Sequence, residues 1–190
     1  MADITREKSQ AKQAASKAAK AASAEYTLYI MRHGKAARGG PPYTDDAKRP
    51  LTAQGIKDLQ TISKGLVRLG VTLDWIVSSP LVRAKETAQI VAESFTPKLP
   101  VEFSEALSPG GTPEALLAFL GKQSARTSTL LVGHEPGLSE LACRLIGANR
   151  SAGLAFKKGG CCLITFPGAP HLSGGRLLWW LTPRVLRKMA

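Results

Sequence analysis

The stretch Y-T-L-Y-I-M-R-H-G-K at residues 26–35 decides the fold that we expect for this chain. Its apolar run stops abruptly at Arg32, His33 and Gly34. Such a run favours a buried strand, and in α/β proteins ligands collect at the carboxyl ends of these strands. A guanidinium beside an imidazole, next to a residue without a side chain, is suited to holding an oxyanion. We therefore predict that His33 is a nucleophile and that the anion is a phosphoryl group.

Strand and helix signals alternate along the rest of the chain. Strands are predicted at residues 26–31, 74–77, 101–103, 129–132, 161–166 and 176–182, and helices at 52–69, 82–94, 112–120 and 136–146. A loop rich in glycine and proline is predicted at residues 36–50. Repeated strand–helix units with short connections predict a three-layer α/β sandwich, in which helices flank a mainly parallel central sheet. The last two strands are expected to form a hairpin at the sheet edge.

Composition divides the chain into a tail and one domain. Residues 1–25 are mostly Ala, Lys, Ser and Gln without an apolar stripe, which predicts a basic tail that is a frayed helix or disordered. Residues 26–190 are expected to form a single domain. The formal net charge of +12 favours anionic partners. Aromatic residues make up only 6% of the chain and no nucleic-acid-binding motif is present, so nucleic acid is an unlikely partner.

The cysteines and the hydropathy indicate a cytoplasmic protein. Cys143, Cys161 and Cys162 include no C-x-x-C pair, so neither a zinc site nor a redox motif is indicated. Reduced thiols in the cytosol are the simplest interpretation. No apolar run approaches the roughly 20 residues that a membrane span needs, and the N-terminus lacks the apolar segment of a secretory signal.

Two further strand ends carry residues that suit the same anion. The strand at 74–77 is followed by Ser78-Ser79-Pro80 and, one helical turn later, by Arg83. The strand at 129–132 is followed by Gly133 and His134. Because the carboxyl ends of neighbouring parallel strands converge, Arg32, His33, Arg83 and His134 are predicted to surround one phosphoryl group.

These motifs, in this order, resemble those of the histidine phosphatase superfamily, and within it the small SixA-type phosphohistidine phosphatases. The matching pieces are L-Y-I-M-R-H-G-K-A at 28–36, R-P-L-T-A-Q-G at 49–55, V-S-S-P-L-V-R-A-K-E-T-A at 77–88, L-S-P-G-G-T at 107–112 and L-V-G-H-E-P at 131–136. The resemblance covers residues 26 to about 182 and does not include the tail. It implies a phosphoglycerate mutase-like fold.

The resemblance also implies roles for the site residues. His33 would accept the phosphoryl group, and Arg32, Arg83 and His134 would hold its oxygens. Neither a metal nor another cofactor is expected. Related phosphomonoesterases use a carboxylate to protonate the leaving group; Glu105 is the candidate for that general acid here, although SixA-type proteins tend to lack a clear one.

We expect a metal-independent phosphatase that forms a covalent phosphohistidine and acts on a phosphohistidine of another protein, such as a phosphotransfer domain. An imidazole leaves readily near neutral pH once protonated, so this substrate makes the weakest demand for a strong acid. Three alternatives remain: a phosphatase of small phosphomonoesters or phosphoramidates, a catalytically inactive phospho-binding protein, and a metallohydrolase. The last would need carboxylate ligands that the sequence does not place.

Overall fold

The computed structural model of this protein describes residues 25–97, 99–123, 125–148 and 153–190. Apart from Glu25, the predicted tail at residues 1–25 lies outside the described residues. The strands are β1 (Glu25–Arg32), β2 (Trp75–Ser78), β3 (Val101–Phe103), β4 (Ser128–Gly133), β5 (Cys161–Pro167) and β6 (Arg176–Leu181). The helices are α1 (Ala53–Arg68), α2 (Val82–Ala92), α3 (Pro113–Gly121), α4 (Gly137–Leu145) and α5 (Pro183–Lys188).

The six strands form one mixed sheet in the order β3-β2-β4-β1-β5-β6. The first four of these strands run parallel to one another, whereas β5 and β6 are antiparallel to their neighbours. Arg32 pairs with Gly133, and Ser78 pairs with Val132. The carboxyl ends of β1, β4 and β2 therefore lie side by side, and the predicted α/β sandwich with its edge hairpin is confirmed.

Both faces of the sheet are buried, which explains the continuous apolar run in β1. Leu28 and Ile30 point into a core shared with α3 and α4, while Tyr29 and Met31 point into a second core shared with α1, α2 and α5. Alternate residues of a strand face opposite sides, so a strand between two helical layers must be apolar at every position. Each fully buried leucine or isoleucine contributes roughly 1.5–3 kcal/mol relative to an exposed one.

Two helix starts follow from their capping residues. The Thr52 hydroxyl accepts a hydrogen bond from the backbone N–H of Gly55 at 3.0 Å, and α1 begins directly after it. The Thr112 hydroxyl accepts from the N–H of Ala115 at 3.2 Å, and Pro113 opens α3. A hydroxyl at this position satisfies a donor that the helix leaves free, so these predicted starts are confirmed.

Three features differ from the expectation. The six-residue helix α5 was not predicted, because it is too short to show a helical period. The loop at 36–50 contains a short 3-10 helix, Asp46–Lys48. Strand β1 already starts at Glu25, inside the predicted tail. Within the described part of the chain, none of the helices is both long and apolar enough to cross a membrane.

Candidate active site

The structure brings the four predicted site residues to one cavity. Arg32 ends β1 and His33 follows it, Arg83 lies in the first turn of α2, and His134 follows β4. The ring centroids of the two histidines are 5.0 Å apart. The cavity has a volume of about 320 Å³ and is lined by Arg32, His33, Asp46, Arg49, Arg83, Pro109, His134, Glu135 and Lys158.

His33 is held as a neutral imidazole with a defined tautomer. Its Nδ1 donates to the backbone oxygen of Gly34 at 2.7 Å, because a carbonyl oxygen can only accept. The lone pair is therefore on Nε2, which accepts from Nε of Arg83 at 3.3 Å. Burial lowers the pKa of His33 to about 3; the nearby His134, Arg83 and Arg32 add to this effect, and the bond to Gly34 opposes it. A neutral Nε2 is a nucleophile over the whole physiological range of pH.

Arg32 and His134 each keep a buried nitrogen without a partner in the described structure. Nη1 of Arg32 donates to the backbone oxygen of Phe156 at 2.7 Å, whereas its Nε makes no hydrogen bond there. Nε2 of His134 is 2.9 Å from the hydroxyl of Ser79, and its Nδ1 is unpaired. Burial, followed by the charge of Arg83, lowers the pKa of His134 to about 4. Buried polar atoms rarely remain unpaired, so these two nitrogens are candidate ligand contacts.

The loop at 36–50 supplies Asp46, a site residue that the sequence analysis missed. Its carboxylate forms an ion pair with Nη2 of Arg83 at 2.9 Å and accepts from Nε of Arg49 at 2.8 Å. Burial alone would raise the pKa of Asp46, but its bonds to Arg49 and Arg83 outweigh that effect and lower it. The acidic and basic residues that lie close together in D-D-A-K-R at 45–49 are the sequence feature that could have indicated Asp46.

Glu105, the candidate general acid, is not brought to the cavity. It begins the 3-10 helix Glu105–Leu107, is exposed, and accepts a hydrogen bond from the hydroxyl of Ser108 at 2.7 Å. Among the described residues, two hydroxyls connect it to the site, because Ser108 lies 3.4 Å from Ser79, the partner of His134. The geometry thus gives Glu105 no direct contact with His33, and the expectation of an acid beside the nucleophile is not supported at this residue.

Two more cavity residues were not predicted to line the site. The Glu135 carboxylate accepts from the backbone N–H of Phe156 at 2.5 Å and from the hydroxyl of Ser139 at 2.6 Å. Lys158 lies in the segment that leads into β5. Glu135 directly follows the predicted His134 in G-H-E-P at 133–136, and this adjacency was the available signal. Nothing in the local sequence distinguishes Lys158, because the tertiary fold brings it to the cavity.

The charge of the cavity fits one phosphoryl dianion. Four cationic side chains line it against the carboxylates of Asp46 and Glu135, which leaves an excess of two positive charges while both histidines are neutral. Arginine binds phosphoryl oxygens through its planar fork, which matches the predicted cage. Within the described residues, no group of three or more His, Cys, Asp or Glu side chains is placed to hold a metal ion.

An edge of the sheet at which two arginines and two neutral histidines meet is typical of phosphoryl-handling proteins, and the similarity to known proteins agrees with this class. Residues 28–108 match the histidine phosphatase superfamily (branch 1). An uncharacterised protein of Picosynechococcus sp. is 36% identical over 135 residues, which are 70% of this chain and 81% of that protein. The phosphohistidine phosphatase SixA homolog of Haemophilus influenzae is 33% identical over 129 residues, which are 63% of this chain and 77% of that protein.

A solved structure supports the same fold. The protein histidine phosphatase SixA complexed with tungstate superposes with a TM-score of 0.73 at 24% identity, over 84% of this chain and 99% of that chain. The chain belongs to the histidine phosphatase superfamily and is of the SixA type. It is accordingly a phosphatase with a phosphoglycerate mutase-like fold, as the motifs predict.

Proposed function

We propose that this protein is a metal-independent phosphatase that removes the phosphoryl group from a phosphohistidine on another protein through a covalent intermediate on His33. The observation that carries the proposal is the neutral His33, whose Nε2 lone pair lies among Arg32, Arg83 and His134. The protein partner is a phosphotransfer domain or a similar phosphorylated domain in the cytoplasm.

The reaction has two displacements. In the first, Nε2 of His33 attacks phosphorus, the P–N bond of the substrate breaks, and the imidazole departs with a proton that it has taken up from solvent. Before attack, Nε2 must exchange its hydrogen bond from Arg83 for the bond to phosphorus, which frees the Arg83 donor for a phosphoryl oxygen. In the second, water attacks phosphorus, the bond to Nε2 breaks, and inorganic phosphate forms. Arg32, Arg83 and His134 stabilise the charge that is spread over the phosphoryl oxygens.

The state of the cavity carboxylates supports an imidazole leaving group. The pKa of Asp46 is lowered by its two arginine partners, so this residue does not hold a proton for an alkoxide. The oxygens of Glu135 are engaged by Ser139 and Phe156. A cavity whose carboxylates are already engaged by other partners suits a leaving group that is readily protonated near neutral pH.

Hydrolysis of small phosphomonoesters is the second candidate, because both carboxylates do line the cavity. This reaction would require one of them to acquire a proton and to approach the ester oxygen. A preference for esters over phosphoramidates would therefore favour this candidate.

The test is a set of assays on the purified full chain in the presence of EDTA. We expect turnover of a phosphohistidine protein and of phosphoramidate to exceed that of p-nitrophenyl phosphate. A rapid acid-free quench should trap the phosphoryl group on His33, and His33→Ala should lower kcat at least 10³-fold, as expected for loss of a nucleophile.

The matched control is His171→Ala, since His171 is exposed and does not line the cavity. Full activity of His33→Ala would rule out the nucleophile. Complete loss of activity with EDTA would rule out the metal-independent mechanism. Absence of turnover for every substrate, with phosphate still bound, would instead indicate a phospho-binding protein.

A further inference from the structure

Lys158 is presented to the cavity by a tight turn at residues 157–160. The N–H of Gly160 donates to the backbone oxygen of Lys157 at 2.7 Å, and Gly159 has a φ of +80°. A positive φ at the third position is the mark of a type II turn and favours glycine there. Lys158 occupies the second position of this turn, so its backbone is fixed even though its side chain is exposed.

The same turn is attached to the strand end that carries His33. The N–H of Gly159 lies 3.0 Å from the backbone oxygen of Arg32 and 3.2 Å from that of His33. In the opposite direction, the N–H of Arg32 donates to the oxygen of Gly160 at 3.1 Å. The position of Lys158 is therefore coupled directly to the position of the nucleophile.

Among the cavity cations, Lys158 alone has no hydrogen-bond or ion-pair partner in the described part of the chain. Arg83 and Arg49 both contact Asp46, and Arg32 contacts Phe156. The limited burial of the Lys158 side chain lowers its pKa, and the charges of four neighbouring cations lower it further; these cations are Arg32, Arg49, Lys35 and Arg83. An anion that arrives beside Lys158 would relieve this repulsion.

The predicted phosphoryl cage does not require this lysine. Arg32, Arg83 and the two histidines already surround one phosphoryl group. A lysine is a point charge on a flexible stem and tolerates anions of variable geometry, unlike the planar arginine fork. Lys158 is thus suited to a second anionic group that lies outside the cage.

We propose that Lys158 forms a second anion subsite beside the phosphoryl cage, so that preferred substrates carry another carboxylate or phosphate close to the phosphoryl group. This inference rests on the proposed function, in which the phosphoryl group occupies the cage at His33. In a phosphoprotein the second anion is an acidic side chain next to the phosphohistidine. In a small substrate it is a free carboxylate.

The experiment compares two matched substrate pairs on the full chain and on Lys158→Gln. The first pair is a phosphohistidine peptide with Asp or Asn beside the phosphorylated residue. The second is N-acetyl-phosphohistidine with a free carboxylate or as its methylamide. We expect the wild-type chain to prefer the acidic member of each pair. Lys158→Gln should reduce the ratio of kcat/KM for the acidic member to kcat/KM for the neutral member about three- to tenfold.

The two pairs distinguish the sources of the second anion, because a loss of preference confined to the peptides indicates a protein substrate. The control is Lys122→Gln, since Lys122 is exposed at the end of α3 and lies outside the cavity. An unchanged ratio in Lys158→Gln would overturn the proposal. An equal loss of kcat/KM for both members of a pair would also overturn it, because Lys158 would then contact the transferred phosphoryl group itself.

The test does not depend on turnover. The same ratios are measured as dissociation constants in the His33→Ala background, with and without Lys158→Gln. If the chain hydrolyses none of these substrates, the proposed function fails, and the ratio of dissociation constants still decides whether Lys158 selects a second anion.

Discussion

A short chain of hydrogen bonds that begins at Glu135 positions the side chain of Arg32. The Glu135 carboxylate holds the N–H of Phe156 at 2.5 Å, and the oxygen of Phe156 holds Nη1 of Arg32 at 2.7 Å. The Phe156 ring is stacked on Trp180 with centroids 3.8 Å apart, so this residue is fixed on its side-chain side as well. Arg32 keeps Nε, Nη2 and the second hydrogen of Nη1 for a phosphoryl group.

We expect Glu135→Ala to weaken binding of inorganic phosphate or tungstate by about tenfold. The change leaves the buried N–H of Phe156 unpaired, which typically costs about 1–3 kcal/mol, and it loosens the anchor of Arg32. Glu135→Gln should retain most of the affinity, because an amide oxygen still accepts from Phe156. Inhibition constants for the two anions provide the measurement.

Two comparisons decide whether Glu135 acts through Arg32. Glu140→Ala removes an exposed carboxylate from α4, the helix that begins just after Glu135, and should leave the inhibition constants unchanged. In an Arg32→Ala background, Glu135→Ala should have little further effect, since the group that it positions is gone. Additive losses in the double variant would contradict a positioning role.

Helix α5 is attached to the body of the protein through a close contact with α1. A Cβ on Gly65 would overlap the backbone oxygen of Leu186, so the two helices approach each other at a residue without a side chain. Leu186 itself is fully buried in the core that α1 and α2 share. A helix of six residues has little stability of its own and depends on this contact.

Gly65→Ala should therefore lower the free energy of unfolding by about 1–3 kcal/mol. Alanine favours a helix by up to about 1 kcal/mol, but the clash with the α5 backbone outweighs that gain. Urea unfolding measures the effect. The control is Gly121→Ala at the end of α3, where an added Cβ meets nothing within 4 Å and stability should be unchanged or slightly higher. Equal stability of both variants would show that α5 does not depend on the close approach.

The elements that could be predicted from the sequence are those with local causes. Buried strands appear as apolar runs, and α1 and α3 begin after capping threonines. Helix α5 begins with Thr182-Pro183, as α3 begins with Thr112-Pro113, but its six residues show no helical period and it depends on packing against the distant Gly65. The hairpin of β5 and β6 was recognisable from the glycine pairs that precede both strands.

The order of the strands across the sheet explains which site residues could be predicted. Because β4 lies between β1 and β2, residues at three separate strand ends meet, and simple adjacency of parallel strands predicts Arg32, His33, Arg83 and His134. The remaining charged residues of the cavity come from connecting segments whose path no periodicity defines; they are Asp46, Arg49, Glu135 and Lys158.

The cavity also links the stability of the whole molecule to pH. The pKa of His33 is lowered to about 3 and that of His134 to about 4, from an ordinary value of 6.5. Below pH 6.5 the unfolded chain binds a proton on each histidine that the folded chain does not bind. The free energy of unfolding must therefore fall as the pH falls from about 6.5 towards these values, by up to about 1.4 kcal/mol per pH unit for each group.

Replacing one histidine should make the free energy of unfolding depend less on pH, by the contribution of that one group. We expect His33→Asn to reduce the slope of unfolding free energy against pH by up to about 1.4 kcal/mol per unit between pH 5 and 6, as measured by urea unfolding. The carboxyl groups with lowered pKa, Asp46 and Glu114, exert their effect mainly below about pH 4.5, which leaves this window to the histidines. His171→Asn, a change outside the cavity, should retain the wild-type slope. Were His33→Asn to retain it too, His33 would titrate alike in the folded and unfolded chains and would not be the neutral, desolvated nucleophile that the proposed reaction needs.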